Sequence, residues 1–141
     1  MDLERFVLAQ DSGGTYDRAL AELSTGRKTS HWMWFVFPQV AGLGRSDMAQ
    51  RFALSGLAEA MAYLSHDVLG RRLRECCRAL LDLPSGATAN DVLGSTDAMK
   101  LRSSMTLFAR ADPSEPVFTA VLDRYFDGRE DDRTIEVVDP R

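Results

Sequence analysis

Ser30-His31-Trp32-Met33-Trp34-Phe35-Val36-Phe37-Pro38-Gln39 is the stretch on which the reading of the fold turns. It holds both tryptophans of the chain, two of its seven phenylalanines and one of its two histidines. Trp32, Trp34 and Val36 alternate as they would in a strand, and aromatic and β-branched residues favour strands. No second strand-like segment stands near enough to pair with it. Pro38 closes the stretch in either case, because a residue before proline avoids helical geometry. The expectation is a short helical turn or extended segment buried across a helical bundle. Lys28, His31 and Gln39 lie at its two ends, a composition that suits a core hinge or a pocket wall.

On the N-terminal side, Leu3, Phe6 and Val7 have helical spacing and predict a short first helix that stops in Asp11-Ser12-Gly13-Gly14. Thr15 is placed to cap a second helix with Tyr16, Leu20 and Leu23 on its apolar face. Gly26 stands where a left-handed C-terminal cap belongs, beside Arg27 and Lys28. On the C-terminal side, residues 40–44 read as a glycine-punctuated loop without phosphate-loop spacing. Ser46 is placed to cap a short helix, and Ser55 to open another with Leu57, Met61 and Leu64 in line. Asp67 is read as the cap of the longest helix, about residues 68–83. There Leu69, Leu73, Cys76, Leu80 and Leu83 face inward, and Arg71, Arg74 and Arg78 form a basic stripe.

Thr88 caps a helical unit closed by Gly94, and Ser95-Thr96-Asp97 begins the helix that runs through residues 98–111. Glu115-Pro116 starts the last long helix, with Phe118, Val121, Leu122, Tyr125 and Phe126 as its apolar face. Residues 129–141 read as a charged C-terminal tail at the edge of order, of which 135–138 dock or fray. The fold class is all-α, one domain over residues 1–141, with about six to eight short helices. Alternating strands and helices are absent, so a parallel α/β sheet is not expected.

The totals agree with that class. A chain of 141 residues with 45% apolar and 27% charged side chains can bury one core without a disulfide or zinc staple. Its net charge of −4 argues against nucleic acid as a partner. No apolar run approaches the roughly 20 residues that span a bilayer, so no membrane association is expected. Met1 to Arg5 lacks the apolar stretch of a signal peptide, which makes cytoplasm the expected location. Cys76 and Cys77 are adjacent and are expected as buried free thiols, with no metal site and no cofactor. A monomer or small homo-oligomer is expected.

Two stretches carry a resemblance. Residues 30–39 followed by Gly42-Leu43-Gly44-Arg45-Ser46, and Lys100-Leu101-Arg102-Ser103-Ser104-Met105-Thr106-Leu107-Phe108, look like domain-of-unknown-function family 1810. Asp2-Leu3-Glu4-Arg5-Phe6 and the helix from Tyr16 to Leu23 extend the likeness over nearly the whole chain. The resemblance implies a mainly α-helical domain from a mostly bacterial family and assigns no activity. The label "calpastatin" sometimes attached to such sequences does not fit, since a calpain inhibitor is expected to be long, repetitive and disordered.

The same two stretches hold the polar residues most at odds with their surroundings. Lys100, Ser103 and Ser104 interrupt an apolar helix, and serine and threonine are indifferent helix formers. Either their hydroxyls bond back to the preceding turn, or Lys100, Ser103 and Ser104 meet Lys28, His31, Trp32, Trp34 and Gln39 across a cleft. An ammonium with hydroxyl donors suits an anion, and an indole face suits a base or other planar ring. The expected function is therefore binding of a small anionic or nucleotide-like ligand between the aromatic stretch and the 98–111 helix. One alternative is an enzyme acting on a nucleotide or ADP-ribose-type derivative, with His31 as acid/base. Another is a structural or protein-interaction module whose aromatic stretch is all core. Asp17 and Asp97 are read as helix N-terminal charges.

Overall fold

The computed structural model describes residues 2–139. Among the described residues the chain forms ten α-helices and one 3-10 turn, Ser12–Gly14. In order they are α1 (Glu4–Asp11), α2 (Thr15–Thr25), α3 (Met33–Val36), α4 (Asp47–Arg51) and α5 (Leu57–Ser65). After these come α6 (Leu69–Leu81), α7 (Ala89–Leu93), α8 (Ser95–Ala111), α9 (Pro116–Phe126) and α10 (Asp132–Val138). The all-α expectation holds. The helices are more numerous than expected because α3, α4 and α7 are only four or five residues long. Helices of that length do not persist alone in water and exist here because of what they pack on.

α8 is the longest element and the axis of the core. Its Leu101, Met105, Leu107 and Phe108 are fully buried, and α5, α7, α9 and α10 all pack against it. α6 forms the second axis, in contact with α2, α5 and α9. α1 leans on α2 and α3. A chain of rings runs through the interior: Phe52, Phe6, Tyr63, Phe108 and Phe118 follow one another at centroid separations of 5.2–5.7 Å. These tilted and edge-on contacts suit the quadrupole of the aromatic ring.

Several local signals act as read. Gly26 closes α2 in the left-handed region (φ 83°), which costs a residue without Cβ little. The Ser46 and Thr88 hydroxyls accept the Ala49 and Asp91 amides at 3.1 Å, capping α4 and α7.

Other start signals act differently. α2 is preceded by left-handed Gly14, and the Thr15 hydroxyl donates to the Ser12 carbonyl rather than capping. Ser55 does not cap α5 with its hydroxyl. Its amide donates to Glu59 Oε1 at 2.9 Å, the backward half of a capping box across Gly56. Asp67 is exposed, and the acceptor before α6 is His66 Nδ1, which takes the Val68 and Leu69 amides at 3.2 and 3.3 Å. The buried face of α5 is also rotated from the expected one. Met61 is half exposed, while Ala60 and Tyr63 are fully buried. The Tyr63 ring fills the space between Phe6 and Phe108, and the helix turns to deliver it.

The turn from α5 into α6 is tight. A Cβ on Gly70 would stand 2.1 Å from the Leu64 carbonyl oxygen, so only glycine fits. After α3 the chain makes a parallel bridge between Val40 and Leu54. There Leu54 donates to the Gln39 carbonyl at 2.9 Å and Ala41 donates to the Leu54 carbonyl at 2.7 Å. The segment read as a charged tail carries α10, with Thr134 fully buried. Residues 140–141 of that segment lie outside the described residues. No helix among the described residues is long and apolar enough to cross a membrane.

Candidate functional site

The sequence pairs residues 30–39 with the 98–111 helix, and in the fold Lys100 of that helix lies over the Trp34 ring, with Asp97 between Lys100 and Lys28. The last turn of α2 supplies Glu22, residues 27–32 fold over it, and α3 and the first turns of α8 close the junction.

Glu22 organises the loop. Its Oε1 accepts the Thr29 amide at 2.8 Å, the Ser30 amide at 3.1 Å and the Trp32 indole N–H at 2.9 Å. Its Oε2 accepts the Ser30 hydroxyl at 2.6 Å. Burial alone would raise the carboxyl pKa. The donors from Ser30, Thr29 and Trp32 outweigh burial and bring it down to about 2. With its N–H satisfied, Trp32 is fully buried and its indole belongs to the core.

Lys28 is anchored at both ends. Its amide donates to the Val92 carbonyl at 2.8 Å. Its ammonium donates to the Ser30 carbonyl at 2.6 Å and pairs with Asp97 Oδ2 at 2.9 Å. It also lies 5.1 Å from the centre of the Trp32 ring. Lys100 approaches the other oxygen of Asp97, Oδ1, at 3.5 Å, and its ammonium sits 5.0 Å over the Trp34 ring. Asp97 is thus more than a helix N-terminal charge, since one carboxylate holds two ammonium groups. Trp34 is half-buried, and among the described residues its indole N–H has no hydrogen-bond partner.

The other expected site residues are placed less centrally. His31 is exposed, and among the described residues it makes no hydrogen bond or ion pair that would orient it as an acid or base. Gln39 is half-buried beside the Val40–Leu54 bridge, where its carbonyl is engaged. The Ser103 hydroxyl donates back to the Met99 carbonyl at 3.2 Å, the packing role that serines take inside helices. Ser104 is fully buried, and its hydroxyl is without a partner among the described residues. It falls on the same face of α8 as Asp97 and Lys100, at spacings of seven and four. Asp17 is exposed in the first turn of α2.

Other residues line clefts elsewhere: one of about 750 Å³ lies between α1, α3 and α4, and others of about 440 and 250 Å³ border α9 and α5. Among the described residues no three His, Cys, Asp or Glu side chains gather as metal ligands. Cys76 and Cys77 are buried free thiols; burial pushes Cys76 up to about 12 and Cys77 well above the ordinary thiol value. In the basic stripe of α6, Arg71 pairs with Glu75 at 3.3 Å and Arg74 with Glu115 at 2.6 Å. Arg78 is exposed.

Glu22 escaped the sequence reading because a glutamate inside an amphipathic helix looks like an ordinary solvated charge. Gln10 escaped it too. It is almost fully buried, donates to the Phe35 carbonyl at 2.8 Å and the Tyr63 hydroxyl at 3.3 Å, and accepts from Arg72 at 3.2 Å. Its spacing from Phe6 and Val7, four and three residues, places it on the buried face of α1 and would have flagged it.

The chain belongs to the family described as "Protein of unknown function (DUF1810)", whose family model matches residues 1–138. It is similar to the conserved hypothetical protein Rv1873 from Mycobacterium tuberculosis, known from a crystal structure, at 48% identity and a TM-score of 0.93. The match covers 97% of this chain and 96% of that one. A search of curated proteins finds no match.

Proposed function

We propose that the protein binds a small anionic, nucleotide-like ligand at the junction of residues 27–32, α3 and α8. The observation that carries this reading is the convergence of Lys28 and Lys100 on the single carboxylate of Asp97, beside the half-buried Trp34 indole. Lys28 and Lys100 stand against the two carboxylates of Asp97 and Glu22, so formal charge balances at the junction and the feature offered to an anion is the Lys100 ammonium itself. The contact between Lys100 and Asp97 is the longer of the two, so Lys100 is the group free to turn to a phosphate or carboxylate. Trp34 offers a planar face, and stacking of a base on an aromatic ring is worth about 1–3 kcal/mol.

In this reading Lys100, Trp34 and the exposed His31 touch the ligand. Lys28 and Asp97 fix the position of Lys100, Trp32 and Ser103 support the site from the core, and Gln39 lies at its far end. We take the protein as cytoplasmic, a reading supported by two unpaired buried thiols.

Isothermal titration and thermal unfolding with nucleotides, sugar phosphates and ADP-ribose test the proposal. A ligand at 100 times its Kd stabilises the protein by about 2.7 kcal/mol. Lys100→Ala is expected to weaken binding about tenfold, the cost of one charge-assisted hydrogen bond. The reading fails if no compound in these classes binds, or if Lys100→Ala binds as tightly as the unchanged protein.

A further inference from the structure

The cleft of about 750 Å³ has no part in the junction around Asp97, and its lining has the chemistry of a second ligand site. It opens between α1, the 3-10 turn, α3 and α4, and its volume falls within the range of small-molecule pockets. Its apolar side is built from Phe35 and Phe52, both buried, with ring centroids 5.2 Å apart. Leu8 stands at the cleft 70% exposed, apolar surface that the core does not use.

Two guanidinium groups line the polar side. Arg5 is fixed: it donates to the Arg51 carbonyl at 2.9 Å, the Ala53 carbonyl at 2.8 Å and the Asp2 carbonyl, and it lies 3.8 Å from Glu59. Those bonds tie α1 to the end of α4 and bring Arg51 alongside. The Arg51 side chain is different. It is exposed, lies 5.2 Å over the Phe52 ring, and among the described residues is within ion-pair distance of no carboxylate. Asp2 is the single acidic residue of the lining, against two arginines. The Ser12 and Thr15 hydroxyls stand at the same cleft.

We infer that this cleft binds a small amphipathic anion: a carboxylate or phosphate head held by Arg51, with Arg5 beside it, and an aromatic body laid against Leu8 and Met48 on a floor formed by Phe35 and Phe52. Arg51 is the reader of the anion, because its fork of donors is unspent and matches an oxyanion. Arg5 is a positioning residue, already committed to three carbonyls. Leu8 sets the preference for an apolar body.

Titration of the full chain with 1-naphthyl phosphate and 1-naphthoate, followed by amide shifts in NMR, tests the inference, with uncharged 1-naphthol as the comparison. Saturable shifts are expected in residues 8–15 and 48–52. Arg51→Ala, which keeps the backbone carbonyl that Arg5 uses, is expected to weaken binding of both anions about tenfold. Leu8→Glu, at an exposed position, is expected to weaken them as well by placing a like charge at the mouth. Lys100→Ala is expected to leave this binding unchanged, which separates the cleft from the Asp97 junction. The inference is overturned if neither anion shifts these residues, if 1-naphthol binds as tightly as the anions, or if Arg51→Ala binds like the unchanged chain.

Discussion

Glu22 shows how much one side chain can be asked to hold. Its carboxylate receives four donors from residues 29–32, which hold it down to about 2 from the ordinary 4.5. A folded-state value below the unfolded one means the stabilisation is complete above pH 4.5 and is lost as the pH falls toward 2. In urea unfolding, Glu22→Gln is expected to be less stable than the unchanged protein at pH 6, with the difference closing across that window. The two tryptophans are expected to separate in the same assay. Trp32→Ala should cost about 3–5 kcal/mol, the range for large aromatic deletions in cores, and it also removes a donor from Glu22. Trp34→Ala should cost clearly less, because its ring is only half-buried. The thiols of Cys76 and Cys77 are protonated and covered, so iodoacetamide is expected to label neither until the protein is unfolded. At this scale the chain was only partly readable. The buried thiols follow from their neighbours in sequence, whereas the roles of Glu22, Gln10 and Asp97 depend on partners that only the folded chain supplies.

Elements differ in legibility for the same reason. Gly26, Ser46 and Thr88 act within one turn of their own helices, and those boundaries could be read directly. The facing of α5 depends on where Phe6 and Phe108 leave room for Tyr63, which no local pattern encodes. α10 is the clearest case. Its seat is prepared 20 to 30 residues earlier in the chain by α8. Arg102 donates to the Arg129 and Glu130 carbonyls at 2.9 and 2.7 Å, and Arg110 grips both oxygens of Glu130 at 2.8 Å. The Thr106 hydroxyl accepts the Asp131 amide at 2.9 Å. The segment looks like a solvated charge cluster because the arginines that receive it lie elsewhere. Arg110→Ala is expected to speed amide exchange across 132–138 while leaving α1 to α7 unchanged. The change in global stability should be only about 1 kcal/mol, since the pair is about one-third exposed.

Across the whole molecule, the aromatic stretch and the α8 helix were recognisable as partners because each carries residues out of keeping with its surroundings. The carboxylate that pairs Lys100 with Lys28 was not, since an acid after a helix cap has an ordinary local explanation. One hydrophobic cluster takes in side chains from Phe6 to Leu122. Unfolding followed by tryptophan fluorescence, which reports on α3, and by far-UV circular dichroism, which reports on every helix, is therefore expected to coincide in midpoint. Separate midpoints would show that the α1–α3 side loosens on its own. The tight turn from α5 into α6 limits what position 70 can carry. Every amino acid other than glycine begins with the carbon that would strike the Leu64 carbonyl, so Gly70 has no substitute that keeps this turn. Arg74, one turn further on, donates to that same carbonyl at 3.3 Å and holds Glu115 at the start of α9. A Gly70→Ala variant is therefore expected to unfold at lower denaturant than the unchanged chain. Any side chain there has to respace the two helices and, with them, the approach of α9.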